Sequence, residues 1–191
     1  MTKDAVLDLF RQSGALLEGH FSLSSGLHSD KYLQSALVLQ HPPFAAALGN
    51  ALGSRLRHFD PTVVLSPALG GIVIGQEVGR ALGVRAIFAE RQDGKLTLRR
   101  GFTLAPDDRV LVVEDVITTG GSTRETIDVA TAAGGTVVGA GAIINRGRTD
   151  NPLGVPFAAL VTLEVPTYPP DACPMCAKGD VVVKPGSRSV A

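Results

Sequence analysis

The stretch Val110–Thr126, "VLVVEDVITTGGSTRET", changes character three times: an apolar run, two adjacent acids, then a Thr/Gly/Ser cluster that leads into helical spacing. The Val/Leu run predicts a buried strand over Val110–Val113, with Glu114 and Asp115 at its carboxyl end, facing a crevice. Val116 and Ile117 lead into a turn formed by Thr118, Thr119, Gly120, Gly121, Ser122 and Thr123. Ser122 and Glu125 stand in capping-box relation (S-x-x-E), which places the helix start at Ser122 and directs unpaired N–H groups back into the turn. A helix start preceded by small hydroxyl and glycine residues is an anion site, because donors and dipole converge there and no side chain blocks a phosphate. Carboxylates repel a phosphate but accept well from vicinal sugar hydroxyls. The combination suits a phosphorylated ribose, with its phosphate in the turn and its hydroxyls on the acids.

Working outward, the same alternation recurs. Upstream lie strand "TVVLSP" (62–67), loop "ALGG" (68–71), helix "IVIGQEVGRALG" (72–83) and strand "RAIFAER" (85–91). A polar, glycine-containing segment (92–108) separates this unit from strand "RVLVVEDV" (109–116), helix "TRETIDVATAAGG" (123–135) and strand "TVVGAGAIINR" (136–146). Continuous Val/Ile/Leu strands alternating with helices predict a parallel sheet covered on both faces, an α/β fold whose ligands bind at the carboxyl ends of the strands. At the amino end, apolar spacing in "KDAVLDLFRQSG" (3–14) predicts a short amphipathic helix. Residues 15–39 read as small strands and turns, and "PPFAAALGNALGSRLRHF" (42–59) as a helix entered through proline. The tail from Val165, rich in Pro and Gly, is expected to wrap over a single domain, with a small hood over about residues 1–40 and the wrap over about 164–191.

Bulk properties exclude several classes. Among 191 residues, 18 Lys plus Arg balance 18 Asp plus Glu, which removes the general electrostatic case for nucleic-acid binding. No stretch reaches the roughly 18 apolar residues that a membrane span needs, and the amino end has no long apolar core of a leader. A soluble, cytoplasmic protein is expected, and the two cysteines agree with a reducing compartment. A strand that ends in acids also occurs in P-loop NTPases, but no G-x-x-x-x-G-K-[ST] is present. "GAGAI" (139–143) lies within a strand-like segment and is expected to reflect close backbone packing rather than dinucleotide binding. His20, His28, His41 and His58 lie in polar or turn contexts and read as surface residues, His28 being the one in the hood to revisit. "CPMC" (173–176) has the spacing of half a zinc site without a second cysteine pair, so an inert structural role and no protein-held metal are expected.

"VLVVEDVITTGGSTRET" resembles the phosphoribosyl-pyrophosphate (PRPP) motif of type I phosphoribosyltransferases. "LSPALGGIVIG" (65–75) resembles that family's pyrophosphate loop, and "ERQDGKLTLRRGF" (90–102) falls where the family has a mobile catalytic loop. "FSLSSGLHSDKYLQ" (21–34) and "INRGR" (144–148) resemble the hood and the orotate-carboxylate site of the orotate phosphoribosyltransferases. The resemblance implies the type I phosphoribosyltransferase fold, a central mostly parallel sheet with flanking helices and a hood. It also implies transfer of the 5-phosphoribosyl group from PRPP to orotate. By the same resemblance PRPP is bound by Glu114 through Ser122, Gly70, Arg91 and Lys95, orotate by Thr118 and Arg146, and Lys95, Arg91 and Asp115 are catalytic. Mg²⁺ is the implied cofactor and a homodimer the implied assembly, without nucleic acid or membrane as partner.

Departures from the family pattern redistribute these roles. Ser24 stands where many orotate enzymes have lysine, with Lys31 the nearest substitute; Gly70 and Gln92 stand where lysines are frequent, and the loop lacks the usual histidine. Arg91, Lys95, Arg99 and Arg100 must then supply most of the positive charge. A purine or xanthine phosphoribosyltransferase, or a PRPP-sensing regulator, are the alternatives at this level.

Overall fold

Val63–Pro67 (β3) buries every residue it contains, as a strand at the centre of a sheet covered on both faces must. A computed structural model of the chain, describing residues 1–23, 25–147 and 153–185, places it in a six-stranded sheet. The other strands are Arg85–Gln92 (β4), Lys95–Leu98 (β5), Arg109–Ile117 (β6), Thr136–Asn145 (β7) and Phe157–Thr162 (β8), in spatial order β5-β4-β3-β6-β7-β8. All are parallel except β5, which turns back on β4 as a hairpin. The mostly parallel α/β sheet and the order of elements predicted above are therefore present. β8 is an addition, since "FAALVT" carries too little periodic contrast to announce a strand.

Helices cover the two faces. Pro42–Leu56 (α3) and Gly70–Leu82 (α4) lie on one, joined by Lys3–Gln12 (α1) and Ser35–Leu39 (α2); Leu48, Leu52, Ile74 and Val78 pack there against Leu111, Val113 and Ile143. Gly121–Ala132 (α5) covers the other, where Ala130 packs with Val63, Leu65, Val110 and Val112. Gly71, Gly75 and Gly79 form an i,i+4 stripe through which α4 presses on the sheet. A Cβ on Gly75 would lie 2.0 Å from Ser66 Oγ, and one on Gly79 2.9 Å from the Ala86 Cβ. In β7 a Cβ on Gly141 would meet Leu56 at 2.4 Å and one on Gly139 the Phe59 ring at 2.8 Å, the close packing expected of "GAGAI".

Leu16–Ser22 (β1) and His28–Leu33 (β2) pair antiparallel, and Thr167–Tyr168 (β9) adds to β2 from the carboxyl end of the chain. This three-stranded hood is thus built from both termini. After a 3-10 turn (Pro170–Ala172) and the short helix Pro174–Ala177 (α6), the chain returns beside β1, where the Val183 N–H donates to the His20 carbonyl at 2.8 Å. His41 and His58 are exposed as expected, but His20 and His28 are buried, 6% and 8% exposed. Their sequence context is polar, and only the return of the tail covers them. No helix among the described residues is long and apolar enough to cross a membrane.

Candidate active site

The chain runs from β3 through α4 to β4 on one side, then crosses to β6 on the other, which makes the gap beyond β3 and β6 a topological switch point. The β3–β6 ladder ends at Leu65↔Val112, although β3 continues to Pro67 and β6 to Ile117. The strands part there, and the crevice opens between Ala68–Gly71 and Glu114–Ser122.

Two helix starts face this gap. α4 begins at Gly70, so Gly70 and Gly71, expected in a loop, form its first turn and their N–H groups have no intrahelical acceptor. α5 begins at Gly121 behind a left-handed Gly120 (φ 74°) that no side chain caps. The expected Ser122–Glu125 capping box is not formed. Glu125 instead accepts from the Leu96 N–H at 2.7 Å and pairs with Arg91 at 2.9 Å, drawn away by a charged partner stronger than its own helix end. The first N–H groups of α5 have no intrahelical acceptor and lie at the Thr118–Ser122 turn, as an anion site requires.

The two acids take different neighbours. Glu114 accepts from the Thr123 hydroxyl at 3.0 Å, whereas the Asp115 carboxylate lies against Gly70, where a Cβ would sit 2.9 Å from its Oδ1. Burial, then the nearby Asp115, pushes the Glu114 pKa up to about 7. Burial likewise raises Asp115, opposed by the Val116 N–H. Among the described residues neither acid has a salt bridge, so the crevice holds carboxylates poised for a partner that brings hydroxyls or a cation.

Arg146 follows β7, and its N–H donates to the Ile117 carbonyl at 2.7 Å, which fixes it beside the turn after β6. Gly147 packs so tightly that a Cβ there would lie 2.7 Å from the Thr118 carbonyl, so Thr118 and Arg146 are neighbours as implied. Arg146 is half-buried, its Nε has no hydrogen-bond partner among the described residues, and burial lowers its pKa. A partly desolvated guanidinium with an unpartnered Nε is suited to receive an anion.

The segment that falls where the family has a mobile loop is a β-hairpin. Asp93 (φ 51°) and Gly94 (φ 82°) form the primed turn that a D-G pair favours, joining β4 to β5. Arg91 is held by Glu125 beside the first turn of α5, and Lys95 is exposed at the start of β5. Arg99 and Arg100 fold back on Glu90, at 3.8 Å and 3.0 Å, and do not join the crevice. Lys31 lines a concavity with Glu18, His20, Met175 and Asp180, none from the crevice, and so does not stand in for the missing lysine. Ser24 and Arg148 lie outside the described residues. Gly147, within the quoted "INRGR", was not singled out from sequence, and Thr123 was read only as the end of the turn, not as a partner of Glu114.

Residues 35–155 match the family described as Phosphoribosyl transferase domain. The chain is 54% identical over 191 residues to the orotate phosphoribosyltransferase of Heliobacterium modesticaldum, covering 99% of this chain and 100% of that protein. It is 52% identical over 190 residues to that of Pelotomaculum thermopropionicum, covering 100% of both. Among solved structures it resembles the Aeropyrum pernix orotate phosphoribosyltransferase, with TM-score 0.67 and 26% identity over 83% of this chain and 94% of that one. An adenine phosphoribosyltransferase from Thermoanaerobacter pseudethanolicus, with TM-score 0.60 and 17% identity over 70% of this chain and 88% of that one, shares the fold.

Proposed function

The chain belongs to the phosphoribosyltransferase family, and from that premise we infer that it transfers the 5-phosphoribosyl group from PRPP to orotate, giving orotidine 5'-monophosphate and pyrophosphate in pyrimidine synthesis. Arg146 carries the choice of base. A half-buried guanidinium with an orphaned Nε, fixed beside the ribose-phosphate turn, matches the bidentate geometry of a carboxylate. Orotate has that carboxylate and purines lack it.

The remaining groups divide the substrate between them. The Thr118–Ser122 turn and the start of α5 receive the 5-phosphate through backbone N–H groups, while Glu114 and Asp115 accept from the ribose hydroxyls. The N–H groups of Gly70 and Gly71 receive the pyrophosphate, where the absence of a Cβ lets the backbone approach. Negative charge grows on the pyrophosphate as it leaves C1, and Arg91 and Lys95 on the hairpin are the cations available to meet it. At an effective dielectric near 20, one such charge about 4 Å from a phosphate oxygen is worth roughly 4 kcal/mol before desolvation. To meet that charge Arg91 would exchange Glu125 for substrate, which a shift of the hairpin would allow.

Glu114 and Asp115, hard carboxylate oxygens without a salt bridge among the described residues, would suit Mg²⁺, which would screen the charge of the pyrophosphate. A homodimer is supported by Leu69 and Val73, 84% and 43% exposed beside Gly70, an apolar surface that a second copy would cover. The deciding experiment is loss of orotate absorbance with PRPP and Mg²⁺, run beside a panel of purines. Turnover of a purine without turnover of orotate would overturn the reading.

A further inference from the structure

The carboxyl-terminal segment beyond β8 is held in place by almost no apolar burial. Of the described residues 164–185 only Cys173 is buried, and Val181, Val182 and Val183 are 83%, 45% and 51% exposed. Yet the segment turns twice, forms α6 and returns to β1, an ordering that needs some other source of free energy.

At its contact with the hood four side chains from three elements converge. His20 of β1, His28 of β2, and Cys173 and Cys176 flanking the first turn of α6 each place one donor atom within 4.8 Å of the other three. His20 Nε2 lies 2.9 Å from His28 Nδ1, 3.5 Å from Cys173 Sγ and 3.6 Å from Cys176 Sγ, and His28 Nδ1 lies 3.3 Å from Cys176 Sγ. Both cysteines are free thiols. With Zn–S near 2.3 Å and Zn–N near 2.05 Å, the edges of a tetrahedral site are about 3.3 Å between nitrogens and about 3.6 Å between nitrogen and sulfur. Four of the six edges match these values within a few tenths of an ångström, and the other two lie within 4.8 Å.

The tautomer agrees. His20 Nδ1 lies 3.0 Å from the Asp180 carbonyl, which can only accept, so Nδ1 carries the proton and Nε2 turns its lone pair into the cluster. That outer contact, from ring N–H to backbone carbonyl, is the one metal-binding histidines make. Two thiols and two imidazoles in tetrahedral array select zinc over hard cations.

We propose that His20, His28, Cys173 and Cys176 form a structural zinc site that fastens the carboxyl-terminal segment to the hood, separate from the crevice. The thiols bind as thiolates and release their two protons. All four positions are filled by protein, so the ion has no open site for catalysis. The second half of the zinc site that "CPMC" lacks in sequence is the histidine pair.

The test is elemental analysis of the full untagged chain purified under reducing conditions without chelator, with Cys176→Ser and His28→Ala alongside. Wild type should carry about one zinc per chain and each variant a small fraction of that. Replacing zinc by cobalt should give wild type thiolate-to-cobalt charge transfer and tetrahedral d–d bands, both lost in Cys176→Ser. Cys176 is exposed, so its serine variant should still fold; should it not, the cobalt spectrum of wild type decides alone. Metal-free wild type that gives no thiolate–cobalt band on reconstitution, a Cys173–Cys176 disulfide in protein kept reduced, or zinc retained in both variants would overturn the proposal.

Discussion

Glu125 on α5 holds Arg91 on the β4–β5 hairpin, carboxylate to guanidinium at 2.9 Å, and its other oxygen accepts from the Leu96 N–H at 2.7 Å. One side chain thus ties the β4–β5 hairpin to the first turns of α5. The Leu96 N–H, then Arg91, draws the Glu125 carboxyl below its ordinary value, against its burial. Its contribution is therefore present above the ordinary carboxylate range and lost as pH falls through the lowered value.

Glu125→Ala should release the hairpin. The local contact is worth about 1 to 2 kcal/mol, so exchange of the Leu96 amide should quicken about 5- to 30-fold while the core amides of β3 and β6 stay protected. Hydrogen exchange read residue by residue checks this; unchanged Leu96 protection would mean that the hairpin is held by its turn alone.

Glu114 makes the ligand-free protein less stable as pH rises. Its folded pKa of about 7 stands above its ordinary 4.5, so between those values the unfolded chain gives up a proton that the native state keeps. At about 1.4 kcal/mol per pKa unit, stability should fall by at most roughly 3.5 kcal/mol across that window, and Asp115 acts in the same sense. Denaturant unfolding at several pH values should show a shallower decline in Glu114→Gln; parallel curves would remove Glu114 as the cause.

Lys95→Ala should lower kcat by about a hundredfold while PRPP binding weakens much less, because an exposed hairpin cation acts on charge that develops only as pyrophosphate leaves. Steady-state rates with a direct PRPP binding measurement separate the two effects. Equal turnover in mutant and wild type would take Lys95 out of the mechanism.

Arg146→Ala should cost about 2 to 4 kcal/mol in kcat/KM for orotate and leave PRPP affinity intact, the scale of removing one partner of a buried charge pair. A rise in KM alone would assign Arg146 to uniform binding, and a fall in kcat as well would assign it to orienting the attacking nitrogen. Paired titrations of orotate and PRPP decide between them; an equal defect for both substrates would make Arg146 a structural residue.

Much of this was legible along the chain because it is local. The Val/Leu runs of β3 and β6, the small residues after them and the strand-helix alternation report interactions within a few residues, so the parallel sheet and the turn after β6 could be read from Val110–Thr126 outward. The acids were readable for the same reason, since a strand end fixes where its next two residues lie. Ser122 and Glu125 show the limit. Their spacing satisfied a local rule, and a non-local partner, Arg91, decided otherwise.

By itself, then, the sequence determined the central parallel strands, the helices between them and the Thr/Gly/Ser turn after β6, because periodicity and backbone preference act over short range. Tertiary structure alone decided what depends on segments far apart in the chain: that the β3–β6 ladder stops at Leu65↔Val112 and opens the crevice, and that Glu125 turns to Arg91. It alone brings His20 and His28 to Cys173 and Cys176 across some 150 residues of chain. Pairing energy over such separations depends on where packing returns the chain, and no spacing along the sequence records that distance.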